Sequence, residues 1–92
     1  MTIFIPTPLR PFAAGQNSVE VNAATIADAL NGLTRTHPDL RKHLFTGDGK
    51  LRAFVNVYFN DEDVRYLPEK EQTPVSAADT LSIIPSIAGG AN

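Results

Sequence analysis

Cysteine is absent from this chain of 92 residues, and its absence narrows the possible functions at once. Without a thiol the protein has no disulfide framework, no thiolate nucleophile, no cysteine-ligated zinc and no iron–sulfur cluster. The last exclusion is informative, because plant-type ferredoxins share the small sheet-and-helix architecture that is predicted below. Any chemistry that the chain carries must use other groups.

Long apolar runs and clustered positive charge are also lacking. No segment approaches the roughly 20 apolar residues that a membrane helix needs, and the first residues lack the charged start of a signal peptide. The net charge is −2, with 8 Lys and Arg against 10 Asp and Glu, and the longest basic run is Arg41-Lys42. Nucleic-acid binding needs a clustered basic surface. We therefore expect a cytoplasmic protein that binds neither membranes nor nucleic acid.

Apolar residues make up 42% of the sequence, which is enough for one hydrophobic core and unlike a disordered chain. The length fits a single domain. We expect this domain to cover residues 1–87 and residues 88–92 to form a flexible tail, because small residues offer little apolar area to offset the entropy of ordering.

The apolar pattern predicts strands and one helix in a definite order. Runs of β-branched, aromatic or alternating residues predict five strands. They lie at residues 2–5, 18–22, 54–59, 64–67 and 80–84. Prolines after the first strand forbid regular pairing there, and we interpret residues 10–17 as a turn that returns the chain. Residues 60–63 are predicted to form a second turn.

Between the second and third predicted strands, the spacing of the apolar residues changes to that of a helix. Ile26, Leu30 and Leu33 have the spacing i, i+4, i+7, which is one face of a helix. Thr25 can cap its start and Pro38 ends it. Leucines further along predict one additional helical turn. One helix against a mixed sheet of four or five strands, with residues 54–59 as a central strand, is an α+β roll.

Candidate catalytic and metal-binding residues do not form a convincing site. His37 and His43 are six residues apart, without the i, i+3 or i, i+4 spacing of helical ligands and without a third ligand nearby. The adjacent acids Asp61, Glu62 and Asp63 do not have the alternating pattern of a calcium loop. We interpret both groups as solvated surface, and we expect no enzyme active site, no metal site and no bound cofactor.

Gly89-Gly90 near the end of the sequence is the feature that suggests chemistry. Two adjacent glycines do not stabilise a folded chain, since glycine loses the most conformational entropy when it is ordered. They do permit a slender chain to enter a narrow channel, because only glycine allows close backbone approach without a side chain. A frayed tail without function is the alternative.

Three segments, at residues 5–11, 54–65 and 84–90, together resemble the ThiS/MoaD family of sulfur-carrier proteins. The resemblance spans nearly the whole chain and implies the ubiquitin-like β-grasp fold. It also implies that the carboxylate of Gly90 is adenylated by an ATP-dependent ThiF/MoeB-like enzyme and becomes a thiocarboxylate. A sulfur-accepting enzyme, such as a cysteine synthase, then receives the sulfur. Gly89 is the threading residue of the tail.

Ala91-Asn92 departs from the family pattern, in which mature carriers end at the second glycine. Some members have such extensions, and a zinc-dependent JAMM-type peptidase removes them. The resemblance therefore implies cleavage between Gly90 and Ala91. The alternatives are that the extension makes this protein inactive or is a remnant of cloning.

Two further questions stay open from the sequence. A ubiquitin-like modifier would use the same Gly90 carboxylate but join it to lysines of other proteins. The sulfur-containing product is also open, with cysteine as the first choice over homocysteine, thiamin thiazole, molybdopterin and thiocarboxylate siderophores. Ile84, Pro85 and Ile87 flank the tail and are candidates for partner docking, although Ile84 could instead pack in the core.

Overall fold

The computed structural model describes residues 1–85, and within them five strands form one mixed sheet beside a helical layer. The strands stand in the spatial order β2-β1-β5-β3-β4. They are β1 (Thr2–Phe4), β2 (Ser18–Glu20), β3 (Val55–Phe59), β4 (Glu62–Asp63) and β5 (Thr80–Pro85). The helices are α1 (Ile26–Thr36) and α2 (Arg41–Leu44), with 3₁₀ turns at Thr7–Ala13, Pro38–Leu40, Val64–Tyr66 and Lys70–Gln72. One main helix on a mixed sheet is the predicted α+β architecture.

The first two strands form the predicted antiparallel hairpin, with Ile3 opposite Val19. Their connection differs from the predicted turn, because Thr7–Ala13 forms a 3₁₀ helix. The prolines that exclude a strand also have a φ near −65°, which suits a helical turn. Leu9 and Ala13 lie on its inner side, where they are buried.

The predicted helix is present as α1, and its apolar stripe lies in the core. Ile26, Leu30 and Leu33 are at most 2% exposed. The side chain of Thr25 accepts a hydrogen bond from the backbone N–H of Asp28 (3.2 Å), so the predicted N-cap is confirmed.

The helical layer continues after α1 as the sequence predicts. Pro38 begins a 3₁₀ turn that leads into α2. Leu40 and Leu44 are fully buried and hold this segment to the core. No helix within residues 1–85 is long and apolar enough to cross a membrane.

The middle strand of the sheet is β5, and β3, which was predicted to be central, lies beside it as an interior strand. β5 pairs with β1 in parallel and with β3 in antiparallel orientation. β3 has β4 on its other side, but that pairing covers only Tyr58 and Phe59. Its aromatic residues are therefore partly exposed, and Phe54, directly before it, is 57% exposed.

The fourth strand lies earlier in the chain than predicted and is shorter. The residues predicted as a turn contain β4, and the predicted strand 64–67 is instead a 3₁₀ turn. Asn60 adopts a φ of 50°, which makes a turn tight enough for Phe59 to pair with Glu62. The carboxylate of Asp63 then accepts a hydrogen bond from the N–H of Arg65 (2.9 Å) and starts the helical turn.

Alternate residues of the strands and the inner face of the helices form one hydrophobic core. Its largest members, all at most 3% exposed, are Ile3, Ile5, Ile26, Leu30, Leu33, Leu40, Leu44, Val57, Val64, Leu81 and Ile83. Strands on both sides of β5 and both helices contribute to this core.

We predict that Leu30→Asp destabilises the protein by at least about 4 kcal/mol, because it removes a buried leucine and leaves an unpaired charge in the core. Asn31→Asp adds the same charge to the same helix at an exposed position and should change stability by less than about 0.5 kcal/mol. Urea unfolding of both variants measures the difference. Equal midpoints for the two variants would show that Leu30 is not a core residue.

Candidate functional site

The candidate site begins where β5 ends, because β5 carries the chain toward Gly89-Gly90. Five residue pairs join β5 to β3, from Phe59 opposite Leu81 to Val55 opposite Pro85. Three further pairs join it to β1. Leu81 and Ile83 are buried on its inner side. The segment that leads to the glycines therefore starts from a fixed position and direction.

The start of β5 is fixed by a side-chain network. The carboxylate of Asp79 accepts hydrogen bonds from the N–H of Ser76 (2.8 Å) and from the side-chain amide of Asn60 (3.2 Å). Asn60 in turn accepts from the N–H of Thr80 (3.0 Å). The bond from the Ser76 backbone, followed by that from Asn60, holds the pKa of Asp79 below its ordinary value. The β3–β4 turn is thereby tied to β5.

The predicted site residues fall into two groups. Ile84 and Pro85 are described and lie at the end of β5. Ile87, Gly89, Gly90 and Ala91 lie outside the described residues. Threading by Gly89, adenylation of Gly90, cleavage before Ala91 and the boundary at residue 87 stay predictions.

Ile84 lies on the outer face of the sheet, so the alternative that it packs in the core was wrong. Its side chain is 48% exposed, whereas the preceding Ile83 is 3% exposed. Successive side chains of a strand point to opposite faces, which explains the difference. Phe4 and Phe54 are also exposed, at 47% and 57%. We refer to Phe4, Phe54 and Ile84 as the outer-face patch.

The outer-face patch combines residues from β5 and from its two neighbouring strands or their flanks. Phe4 belongs to β1 and pairs with Ser82, two residues before Ile84. Phe54 directly precedes β3, whose first residue Val55 pairs with Pro85. The sequence did not reveal this patch, since it is assembled from three separate segments. Large exposed apolar side chains beside the start of the tail are suited to protein contact.

Arginine side chains support the backbone at the same end of the sheet. Nη2 of Arg65 donates to the carbonyl oxygen of Val55 (2.6 Å) and, at 3.4 Å, to that of Ala53. Nε of Arg52 donates to the carbonyl oxygen of Lys42 (2.7 Å). These contacts join residues that are ten or more positions apart, so hydrophobic periodicity gives no signal for them.

The histidines and the acidic turn do not assemble into a metal centre in the part of the chain that is described. Among residues 1–85, no group of three or more His, Asp or Glu side chains is placed to hold a metal ion. His43 stacks on Phe12 with ring centroids 4.2 Å apart, and Asp63 caps the turn that contains Arg65. His43 and Asp63 therefore have structural contacts.

Comparison with known proteins now decides the family, since the ThiS family profile matches residues 3–90. The chain belongs to the ThiS family. This ThiS-family chain is 37% identical over 92 residues to the sulfur carrier protein CysO of Mycobacterium tuberculosis, with 98% of each chain covered. It is 36% identical over 80 residues to the small archaeal modifier protein 1 of Haloferax volcanii, covering 84% of this chain and 86% of the relative.

Solved structures of relatives confirm the predicted β-grasp fold of this ThiS-family chain. A chain in the crystal structure of the Amycolatopsis orientalis BexX/CysO complex superposes with a TM-score of 0.84 and 39% identity, covering 97% of this chain and 98% of that one. These relatives are small carrier and modifier proteins. Membership in the ThiS family therefore supports a sulfur-carrier or ubiquitin-like role.

We predict that Ile83→Thr and Ile84→Thr, the same substitution on neighbouring residues, have very different effects. Ile83→Thr buries a hydroxyl and leaves a small cavity, which should cost about 2 kcal/mol or more. Ile84→Thr should change the free energy of unfolding by less than about 0.5 kcal/mol, because its side chain faces solvent. Urea unfolding measures both. Equal losses would mean that Ile84 is part of the core after all.

Proposed function

We propose that this chain is a sulfur carrier whose reactive group is the carboxylate of Gly90, exposed when the bond to Ala91 is cleaved. The observation that supports this function most strongly is the position of Gly89-Gly90 shortly after the end of β5. β5 pairs with β1 from Thr80 to Ser82 and with β3 as far as Pro85. Gly89-Gly90 follow four and five residues after Pro85, in a chain 37% identical to mycobacterial CysO over its length. The chain contributes a reactive end and partner enzymes contribute catalysis.

The proposed chemistry has two steps, both in a partner's active site. The Gly90 carboxylate attacks the α-phosphate of ATP, and pyrophosphate leaves, giving an acyl-adenylate. Sulfide attacks the carbonyl carbon and displaces AMP, which gives the thiocarboxylate directly. A persulfide displaces AMP in the same way but gives an acyl disulfide, and a thiol reductant must then cleave its S–S bond to leave the thiocarboxylate. The thiocarboxylate is a soft nucleophile that can deliver its sulfur to a third enzyme's substrate.

Cleavage before Ala91 is required by this chemistry. While Gly90 is joined to Ala91, its carbonyl belongs to an amide, and no carboxylate oxygen is available to attack ATP. The two residues after Gly90 would place any later carboxylate about 6.6–7.2 Å farther along an extended chain. In-line attack does not tolerate such displacement, since even 1 Å can cost about 100-fold in rate. We therefore include a JAMM-type zinc peptidase among the partners.

Docking needs more surface than a glycine tail offers. A stable protein interface buries about 1,200–2,000 Å² in total, and glycines contribute little of it. We propose that the outer-face patch docks on a ThiF/MoeB-like activating enzyme, and that Pro85 and Ile87 take part in the docking. The exposed apolar side chains around the end of β5 support this role.

A sulfur-accepting enzyme is the remaining partner. The complex that the Amycolatopsis relative forms with BexX supports the idea that members of this family dock directly on a second protein. For this chain we propose an acceptor of the cysteine synthase type, because CysO is a whole-length relative.

A ubiquitin-like modifier is the second candidate function. It is favoured by the 36% identity to small archaeal modifier protein 1. In this case a lysine amine, rather than sulfur, attacks the Gly90 adenylate. Intact-mass analysis separates the two, since one product is a sulfur-for-oxygen exchange on the free chain and the other is an isopeptide bond to a different protein.

We predict that the form ending at Gly90 supports ATP–pyrophosphate exchange with its activating enzyme, and that the form retaining Ala91-Asn92 is at least about 100-fold slower. Gly90→Ala in the shorter form keeps the carboxylate but should also slow exchange, because a methyl group crowds a channel shaped for glycine. Treating the longer form with the peptidase should restore activity. Equal exchange by both untreated forms would mean that Gly90 is not the reactive end.

We predict that Ile84→Thr, in the form ending at Gly90, raises the KM for adenylation about tenfold and leaves kcat unchanged, because about 1.4 kcal/mol of docking contact is lost. Ser82→Thr, a polar change on the same strand, is the matched control and should have little effect. Unchanged KM for Ile84→Thr would remove the outer-face patch from the interface.

A further inference from the structure

Charge is divided unevenly along the chain, although the net charge is only −2. Five of the eight Lys and Arg residues lie between residues 35 and 52, together with only two of the ten acids. The rest of the chain is correspondingly acidic. The fold places this basic segment and four of the remaining acids toward different ends of β5.

Arginines surround the end of the sheet from which the tail leaves. β1 runs parallel to β5, so the residues after Phe4 lie at this end, and Nε of Arg10 donates to the carbonyl oxygen of Ile5 (3.1 Å). β3 begins here, and its first residue Val55 pairs with Pro85. Arg52 lies three residues before Val55, and Arg65 donates to the Val55 carbonyl (2.6 Å).

Helix α2 extends this positive end. Its residues Arg41 and Lys42 are exposed. Arg52 binds the Lys42 carbonyl through Nε (2.7 Å) and the Leu44 carbonyl through its backbone N–H (2.9 Å), which ties α2 to the start of β3. Arg41, Lys42 and Arg52 line one shallow groove, and Arg41 also lines a neighbouring groove with Arg35.

Only two carboxylates are interspersed with these cations in residues 35–52. They are Asp39, in the turn before α2, and Asp48, whose carboxylate accepts a hydrogen bond from the Thr46 hydroxyl. Arg65 has two further carboxylates nearby, Asp63, which caps its turn, and Glu71, which lines the same cavity. With Arg10 and Arg65 included, six cations still outnumber these four acids, so the local charge is positive. We call Arg10, Arg35, Arg41, Lys42, Arg52 and Arg65 the tail-exit surface.

Carboxylates collect at the other end of β5. Asp79 directly precedes the strand, and Glu20 lies opposite Thr2, which itself pairs with Thr80. Asp61 and Glu62 follow at the tip of the β3–β4 hairpin. The five-residue step along β5 from Thr80 to Pro85 is about 16–17 Å. This is about twice the Debye length at physiological ionic strength, so a partner at one end responds to the local charge.

We propose that the tail-exit surface is an electrostatic docking surface for a carboxylate-lined channel entrance on the activating enzyme, and that it orients the chain tail first. This inference rests on the proposed function and adds the chemistry of the partner surface. Opposite charges on facing surfaces accelerate encounter and select orientation, even where they add little to final affinity. The acidic far end is repelled by the same entrance.

A protein surface fits these observations better than nucleic acid does. The cations lie on several elements near the end of β5, with three of them in one groove and two in the neighbouring one. A site for a nucleic-acid strand has a longer, continuous positive groove. Asp39 and Asp48 would also oppose a continuous row of phosphates. Salt-sensitive binding of a duplex oligonucleotide, with salt-insensitive association of the enzyme, would favour nucleic acid and overturn the proposal.

The test measures kcat/KM for ATP–pyrophosphate exchange against ionic strength, with the form ending at Gly90 and the activating enzyme of the same organism. This form keeps all of residues 1–85 and therefore every core residue that the structure describes. Lys42→Glu should lower kcat/KM about tenfold at low ionic strength, and the deficit should shrink to less than about twofold near 0.5 M salt, where charges are screened. The kcat at saturation should not change.

Lys70→Glu is the matched control, because it alters the net charge equally at a different place. Lys70 lies in a 3₁₀ turn next to the start of α1, where the Thr73 carbonyl accepts a hydrogen bond from the Ile26 N–H. Its kcat/KM should stay within about twofold of wild type. Arg52→Lys keeps the charge but not the hydrogen bond from Nε to the Lys42 carbonyl, and its kcat/KM should remain close to that of wild type.

Identical salt profiles for Lys42→Glu and Lys70→Glu would overturn only the proposed role of the tail-exit surface. Absence of exchange by wild type at every ionic strength would overturn the proposed function as well.

Discussion

The pairing of β5 with a strand on each side is the constraint on which the rest of the structure depends. It joins the first strand of the chain to β3 and closes the sheet over the core. Backbone hydrogen bonds on both edges, with Leu81 and Ile83 buried between them, leave this strand little freedom. A carrier that presents a slender end to several enzymes needs such a base, because a mobile base would add ordering entropy to every encounter.

Side chains alternate along β5 between a buried face, which stabilises the fold, and an exposed face, which is proposed to bind partner proteins. Ile83 is buried in the core, and its neighbour Ile84 is exposed on the outer face, as are Phe4 and Phe54. The same strand therefore secures the fold and exposes apolar surface at the start of the tail. The arginines at this end add charge to that surface while hydrogen bonding the backbone that supports it. Shape, apolar contact and charge thus meet where the proposed reactive end departs.

Local signals made much of the fold predictable. The Ile26, Leu30, Leu33 stripe and the cap at Thr25 identified α1 correctly, since both depend on residues within one or two helical turns. The 3₁₀ turn at Thr7–Ala13 was missed, because prolines exclude a strand without specifying which helical turn replaces it. The β4 prediction also failed. Val64-Arg65-Tyr66 resembles a strand in composition, but the Asp63 cap and the tight turn at Asn60 override that preference.

The candidate site was less predictable from sequence than the fold. Gly-Gly and the hydrophobic residues before it were visible as a pattern, and the family assignment supports their importance. The outer-face patch and the arginine contacts at the tail exit were not visible, because they join β1, the start of β3 and the end of β5. Sheet order alone brings these segments together, and it cannot be derived from the period of any one of them.

The central claim is that Gly90 becomes a thiocarboxylate, and the most direct test is the intact mass of the protein isolated from its own cells during active sulfur metabolism. The account predicts a species that ends at Gly90 and carries sulfur in place of one carboxylate oxygen. Alkylation by a thiol-directed reagent should shift that species, although the chain has no cysteine. A population that retains Ala91, or one found solely in isopeptide linkage to lysines, would contradict the claim.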